Sequence, residues 1–160
     1  MSIERVGVIR AGQMGAGIAE VAARAGVDVM VFETTEALIT AGRNRIVKSL
    51  ERGVSAGKIT ERERDGAVSK LTFTTDVKDL ADRQLVIEAV IEDEAVKAGI
   101  FAELDGVVTD ADAVLASNTS SIPINEARRG DQKSSAGAWH AFFQPGAGAS
   151  AGRAALHAGH

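Results

Sequence analysis

Residues 5–33, RVGVIRAGQMGAGIAEVAARAGVDVMVFE, contain the pattern that decides the fold. A short apolar run comes first, a turn with two glycines follows, and an alanine-rich segment with helical spacing comes next. Gly26 is placed to end that helix, and a second apolar run then closes on an acid. The stretch therefore predicts a strand, a turn, a helix and a second strand: Arg5–Ile9, Gly12 with Gly15, Gly17–Ala25, and Asp28–Glu33.

The chain beyond this stretch continues the alternation of strands and helices up to about residue 124. Helical spacing predicts three further helices, and apolar runs predict three further strands. Strands that alternate with helices imply a parallel sheet covered on both faces. The predicted helices are Thr35–Gly53, Ile59–Lys70 and Asp93–Leu104, and the predicted strands are Leu71–Thr75, Leu85–Glu92 and Ala113–Ser120.

The glycine turn resembles the dinucleotide fingerprint G-x-G-x-x-G. Gly12 and Gly15 occupy the second and third glycine positions, whereas Arg10 stands at the first. The fingerprint lets the backbone approach a pyrophosphate, which lies on the free N–H groups of the following helix. Because a strand precedes this turn and a helix follows it, we predict an α/β, Rossmann-type fold. A glycine-rich turn in some other α/β protein is the alternative interpretation.

Glu33 ends the second predicted strand, 18 residues beyond Gly15. A carboxylate at this place accepts both hydroxyls of the adenosine ribose and repels a 2′-phosphate. The sequence therefore predicts NAD rather than NADP as the cofactor. A solvated acid at a strand end is the simpler interpretation of Glu33 alone.

Composition excludes several other classes of protein. The 160 residues carry a net charge of −4 and contain no Cys, which excludes a disulfide scaffold and a Cys-based zinc site. The chain has no strongly basic stretch, so we do not expect nucleic acid as a partner, and we expect no metal site. No apolar run reaches the roughly 18–20 residues of a membrane span, and the N-terminus lacks a signal-peptide pattern. We expect a cytoplasmic protein that does not enter a membrane.

Four segments together resemble the short-chain 3-hydroxyacyl-CoA dehydrogenases, especially the 3-hydroxybutyryl-CoA dehydrogenases: AGQMGAGIAEVAARAG, VFE, LVIEAVIEDEAVK and LASNTSSIPI. The resemblance covers residues 3–124 with the order and spacing of the family. It implies a Rossmann-type NAD domain, a helical dimerisation domain after it, and oxidation of (S)-3-hydroxyacyl-CoA to 3-ketoacyl-CoA in fatty-acid and butanoate metabolism. A different β-hydroxyacid dehydrogenase with a G-x-G-x-M-G turn is a second possibility, which E-A-V-I-E and S-N-T-S-S-I-P-I disfavour.

The resemblance also assigns roles to individual residues. Asn118 and Ser120 lie where nicotinamide meets the 3-oxygen of the substrate, although ordinary turn chemistry would also explain both. By itself, Lys97 would be read as a solvated helix lysine. The residues implied to bind the cofactor are Gly12, Gln13, Met14, Gly15, Gly17, Glu33, Glu92 and Lys97.

The last segment, residues 125–160, departs from the family. The family continues with H-F-F-N-P-V-P-V, in which the His is the catalytic base and a later Glu orients it. Here the corresponding stretch is WHAFFQPGAG, and ten of the residues 146–160 are Gly or Ala. We predict an irregular, aberrant tail over 125–160 that lacks the catalytic base, its orienting Glu and the helical dimerisation domain. His140 is not expected to replace the base.

A change of reading frame explains this tail. N-P-V-P-V, written AAC CCG GTG CCG GTG, becomes Q-P-G-A-G when it is read one base earlier, which is Gln144–Gly148. R-V-L-G-M-H-F-F becomes A-G-A-W-H-A-F-F in the same way, which is Ala136–Phe143. One base inserted after the Ile124 codon would account for most of the tail, and the family's His codon would then be read as Ala141.

The sequence leads to two functional hypotheses, an active enzyme and an inactive binding fragment. One is an NAD-dependent 3-hydroxyacyl-CoA dehydrogenase, and the other is a catalytically inactive fragment that binds NAD. Arg10 bears on both, because any side chain at the first glycine position crowds the turn. Pairing of its guanidinium with the pyrophosphate is the less favoured alternative.

Overall fold

The structure is a computed structural model, and it describes residues 2–90, 94–109, 112–118 and 138–142. Its elements follow the predicted alternation from the first strand to the fifth. The strands are β1 Arg5–Ile9, β2 Asp28–Phe32, β3 Leu71–Thr74, β4 Leu85–Glu88, β5 Val114–Asn118 and β6 Ala138–Phe142. The helices are α1 Gln13–Arg24, α2 Glu36–Ser55, α3 Glu61–Ser69 and α4 Glu94–Val107, with a short 3-10 helix at Val77–Leu80.

All six strands pair in parallel, in the order β3-β2-β1-β4-β5-β6. The chain builds outward from β1 in one direction, then crosses back and builds outward from β4 in the other. This is the strand order of the doubly wound dinucleotide-binding fold, and its direction reverses between β1 and β4. The predicted Rossmann-type parallel sheet is therefore confirmed.

Each face of the sheet is covered by its own apolar core. On one face, α1, α2 and α3 pack on β1 and β2, with Val8, Ala19, Val31 and Leu50 fully buried. On the other face, α4 and the 3-10 helix pack on β1, β4 and β5, in a core built from Ile9, Leu80, Val86, Phe101, Leu104 and Leu115. The alternation of side chains along each strand supplies both faces.

Local signals set the ends of the helices. The Thr35 side chain accepts a hydrogen bond from the N–H of Leu38 at the start of α2, and Thr60 and Glu63 form a capping box at the start of α3. Gly26 has φ +85° and follows the last residues of α1, as expected for a glycine that ends a helix.

β6 was not foreseen in the sequence. We predicted an irregular tail over 125–160, but residues 138–142 form a sixth parallel strand, in which His140 pairs with Ala116. The rest of that tail lies outside the described residues. An edge strand such as β5 leaves one row of backbone N–H and C=O groups open, and a short apolar segment satisfies them.

None of the helices in the described part of the chain has both the length and the apolar character needed to cross a bilayer.

Candidate cofactor site

The candidate site lies at the carboxyl ends of β1, β2 and β4. Ile9 is paired with Phe32 on one side and with Glu88 on the other, so the residues that follow these three strands meet at one edge. α1 begins at this edge, directly after β1. In doubly wound sheets, ligands bind outside the strand ends at the point where the strand order reverses.

The turn of residues 10–13, which we call the phosphate turn, shows why the glycines occupy their positions. A Cβ at Gly15 would overlap the backbone carbonyl oxygen of Arg10 and lie 2.9 Å from its carbonyl carbon. A Cβ at Gly12 would meet nothing within 4 Å, because Gly12 faces open space. Gly15 therefore allows the helix to pack on the strand, and Gly12 leaves the backbone open to a ligand.

The N-terminus of α1 suits an anion. Gly12 is the N-cap residue, and the first turn of the helix contains no acidic side chain. The positive end of the helix dipole and the unpaired N–H groups of the first turn thus face the edge where the phosphate turn lies. This donor set fits the pyrophosphate of a dinucleotide.

Arg10 has φ +79°, in the left-handed region, and is the one non-glycine residue with positive φ in the described part of the chain. This backbone conformation is unfavourable for an L-residue, whereas crowding of the turn by the side chain stays a prediction. Its guanidinium does not lie over the start of α1: Nη1 donates to Thr34 Oγ1 at 3.1 Å and lies 3.6 Å from Glu33 Oε2.

Glu33 is buried at the end of β2, with 4% of its surface exposed. Its Oε1 accepts a 2.6 Å hydrogen bond from the N–H of Ala11, and its Oε2 lies 3.4 Å from the N–H of Thr34. The carboxylate thus holds the phosphate turn to the end of β2. Ribose hydroxyls that reach it would share oxygens that already have partners.

A second acidic residue, Glu88, ends β4 and is fully buried. Its Oε1 lies 3.2 Å from Nζ of Lys97 and accepts from the N–H of Val90 at 3.1 Å. Its Oε2 accepts a 2.6 Å hydrogen bond from the hydroxyl of Ser117 on β5. This network of Glu88, Lys97 and Ser117 joins β4, α4 and β5. It is shielded from solvent, because Lys97 is only 1% exposed and Glu88 is fully buried.

Comparisons with known proteins agree with this geometry. The family model described as "3-hydroxyacyl-CoA dehydrogenase, NAD binding domain" matches residues 5–147. The chain belongs to this family. NAD is the cofactor of the family's domain, and the phosphate turn, the start of α1 and Glu33 fit it.

Individual relatives give the same result. A 3-hydroxybutyryl-CoA dehydrogenase of Mycobacterium tuberculosis (strain ATCC 25618 / H37Rv) is 80% identical over 123 residues, which are 77% of this chain and 43% of that protein. The crystal structure of M. tuberculosis FadB2 superposes with a TM-score of 0.85 at 70% identity, covering 91% of this chain and 51% of that one.

A more distant solved structure, the (S)-3-hydroxybutyryl-CoA dehydrogenase PaaH1 from Ralstonia eutropha, has a TM-score of 0.80 at 32% identity, over 89% of this chain and 50% of that one. The chain therefore spans about half the length of the relatives it matches. The relatives' names apply to proteins about twice as long.

The predicted site residues of the NAD domain fall into two groups. Gln13 and Gly17 are exposed on α1, and Met14 is half-buried and lines a groove with Ile87. Together with Gly12, Gly15 and Glu33 they lie near the phosphate turn. Lys97 lies apart from them, paired with Glu88.

The other predicted residues are less well defined by the structure. Asn118 is the last residue of β5, so its backbone lies at the same edge of the sheet as the end of β4. Glu92 and Ser120 lie outside the described residues. His140 is placed by its backbone alone, in β6.

Three positions beside the candidate site were missed in the sequence: Glu88, Ser117 and Gly42. The first two form the buried network, and a Cβ at Gly42 on α2 would collide with Cβ of Ala11 in the phosphate turn. A signal for Glu88 did exist, because an acid inside the apolar run LVIEAV is unusual for a fully buried strand. In the described ranges, no group of three His, Cys, Asp or Glu side chains could hold a metal ion.

Proposed function

We propose that this chain forms the NAD-binding part of a dehydrogenase that oxidises the 3-hydroxyl group of an acyl-CoA of the 3-hydroxybutyryl-CoA type. The observation that supports this best is the phosphate turn at the point where the strand order reverses, with Glu33 beside it. The names of relatives that are 80% and 32% identical support the choice of substrate class.

Each part of the site has its own task in this proposal. The start of α1 binds the pyrophosphate, and Glu33 receives the adenosine ribose. The Glu88–Lys97–Ser117 network holds the ends of β4 and β5 in place on the nicotinamide side, where Asn118 and Ser120 would meet the 3-oxygen of the substrate. NAD, when bound, supplies the carbon that accepts the hydride.

The reaction also needs a group that takes the hydroxyl proton, and such a base contributes typically ~10²–10⁴-fold. In the family motif the His stands directly before F-F, a position that Ala141 occupies here. His140 stands one position earlier in β6. Because successive positions of a strand belong to opposite faces, position 140 does not replace position 141.

We therefore propose that a polypeptide of residues 1–160, tested alone, binds NADH but does not oxidise 3-hydroxybutyryl-CoA. The change of reading frame after the Ile124 codon is the proposed cause. Identity falls from 80% over 123 residues to 70% over the 91% of the chain that superposes on M. tuberculosis FadB2, which supports this cause. The family model, by contrast, extends to residue 147 through the HAFFQP segment.

Three proteins test this proposal. The first is the 160-residue polypeptide, and the second is its His140→Ala variant. The third is encoded by a gene that lacks one base after the Ile124 codon, so that the downstream sequence is read in the restored frame. NADH binding is followed by fluorescence, and oxidation of 3-hydroxybutyryl-CoA by NADH formation. We expect all three to bind NADH and only the third to be active.

Two results would contradict the proposal in different ways. Activity in the 160-residue polypeptide that His140→Ala abolishes would make His140 the base and remove the argument for inactivity. Lack of NADH binding in all three proteins would contradict the assignment of the cofactor site itself.

A further inference from the structure

Arg10 stands between the first two strands at the edge where the cofactor site lies. Its N–H donates to the carbonyl oxygen of Phe32 at 2.9 Å, which ties it to the end of β2. With φ +79°, its backbone turns away from the path of β1. The side chain thus leaves the strand next to Glu33 rather than above the start of α1.

The guanidinium of Arg10 lies against the group that reads the ribose. Nη1 lies 3.6 Å from Oε2 of Glu33, and the same nitrogen donates to Thr34 Oγ1 at 3.1 Å. The Glu33 side chain is 5% exposed, whereas that of Arg10 is 32% exposed. At this end of the site, a ligand that approaches from solvent therefore meets a cation as well as the carboxylate.

A carboxylate favours NAD over NADP for two reasons: it accepts hydrogen bonds from the ribose hydroxyls, and its charge repels a 2′-phosphate. Arg10 opposes the second reason, because a paired cation neutralises the charge. The 2.6 Å hydrogen bond from the N–H of Ala11 occupies one acceptor site of Oε1, so fewer acceptor sites remain for the ribose hydroxyls. Both observations reduce the preference that Glu33 would give by itself.

We propose that Arg10 relaxes the cofactor specificity of this site, so that the 2′-phosphate of NADP(H) is accepted beside Glu33. The inference rests on the proposed cofactor site and adds a specificity-determining residue to it. A guanidinium suits this task, since its fork of N–H donors matches the oxygens of a phosphate and it stays charged at every relevant pH.

The experiment compares the 160-residue protein with Arg10→Gly, Arg10→Asn and Arg10→Lys. Dissociation constants of NADH and NADPH are measured by fluorescence, and those of 5′-AMP and 2′,5′-ADP by competition. Arg10→Asn removes the charge but tolerates the left-handed backbone, and Arg10→Lys keeps the charge. Relief of the backbone changes the affinity for both nucleotides alike, so the ratio of the two constants reports the charge.

We expect NADPH to bind the unchanged protein about as tightly as NADH. The ratio of the NADPH constant to the NADH constant should rise by about tenfold or more in Arg10→Gly and Arg10→Asn, as the loss of a charge-assisted contact to phosphate predicts. Arg10→Lys should keep most of the low ratio. The same order should hold for 2′,5′-ADP against 5′-AMP.

An equal ratio in all four proteins would overturn the inference while leaving the cofactor site intact. Strong preference of the unchanged protein for NADH would overturn it as well. If neither nucleotide binds any of the four proteins, the proposed cofactor site is wrong and the inference falls with it.

Discussion

Nζ of Lys97 on α4 lies 3.2 Å from Oε1 of Glu88 at the end of β4, and both side chains are buried. The hydroxyl of Ser117 donates to the other oxygen of Glu88. Charges removed from water are tolerated only when they are paired and hydrogen-bonded. This pair therefore fixes α4 against the part of the sheet that forms the nicotinamide side of the proposed site.

Removing the lysine from this pair should be strongly destabilising. Lys97→Met leaves the Glu88 carboxylate buried without its cation, and we expect the free energy of unfolding at neutral pH to fall by about 3–5 kcal/mol. The Glu88→Gln/Lys97→Met double variant removes both charges and keeps an acceptor for Ser117, so it should recover most of that loss. Urea unfolding measures both, and a loss of under about 1 kcal/mol in Lys97→Met would show that the buried Glu88 carboxylate does not need the lysine as its partner.

Gly15→Ala tests the packing of α1 on β1. The new Cβ would overlap the carbonyl oxygen of Arg10, so helix and strand must separate. We expect a loss of about 1–3 kcal/mol in stability together with weaker NADH binding, because the start of α1 moves. The control is Gly66→Ala on α3, where a Cβ meets nothing within 4 Å and alanine favours the helix. Equal stability of the two variants would refute the close approach.

Arg10→Gly and Arg10→Ala separate the backbone of Arg10 from its charge. Both variants lack the guanidinium, and they differ only in a Cβ at φ +79°. Since the left-handed conformation costs an L-residue roughly 1–2 kcal/mol, we expect the glycine variant to be more stable by about that amount and to bind NADH more tightly. Thermal unfolding and NADH titration of the pair measure the difference, and identical behaviour would show that the turn carries no such cost.

Asp82, at the opposite end of the sheet from the candidate site, should make the free energy of unfolding depend on pH. The two hydrogen bonds that Arg83 donates, at 3.0 and 3.1 Å, lower the pKa of the Asp82 carboxyl below its ordinary value of 3.8. A lowered pKa in the folded state means that the carboxylate stabilises the protein above that ordinary value, and that this contribution disappears as the pH falls through the folded value.

The corresponding variant is Asp82→Asn. Because the Asp82 side chain is 60% exposed, we expect a loss of at most about 1 kcal/mol at neutral pH, which shrinks toward zero in acid. Asp65→Asn makes the same change in net charge and serves as the control, because the 70% exposed Asp65 carboxylate accepts one hydrogen bond from its neighbour Arg64, at 3.0 Å, where Asp82 accepts two from Arg83. A loss for Asp82→Asn that stays constant from neutral to acidic pH would contradict the role of the ionised carboxyl.

Much of the fold could be predicted from the sequence because it rests on short-range patterns. The run from Arg5 to Glu33 contains a strand, a turn and a helix, each with its own periodicity or glycine, and neighbouring residues determine such features. The requirement for glycine at position 15 also follows from the fingerprint, and the structure confirms it through the contact with Arg10. Helix boundaries differed by one to four residues, and the largest difference is the start of α1, at Gln13 rather than Gly17.

The site could be predicted only in part. Gly12 and Glu33 follow from spacing, but the partners of Glu33 do not, because Ala11 is 22 residues away along the chain. Lys97 is charged and helical, which by itself indicates a solvated residue. Only the packing of α4 on the sheet buries it against Glu88.

The sequence by itself thus determined the order of strands and helices, the glycine turn and the cofactor class, since these depend on periodicity and on residues close together in the chain. The tertiary structure decided which charged and polar side chains form ion pairs and hydrogen bonds with each other. Arg10 meets Glu33, and Ser117 meets Glu88, because the carboxyl ends of paired parallel strands share one edge. Lys97 reaches Glu88 through the packing of α4 on the sheet. The tertiary structure also added β6, which pairs with the edge strand β5 and satisfies its open row of backbone N–H and C=O groups.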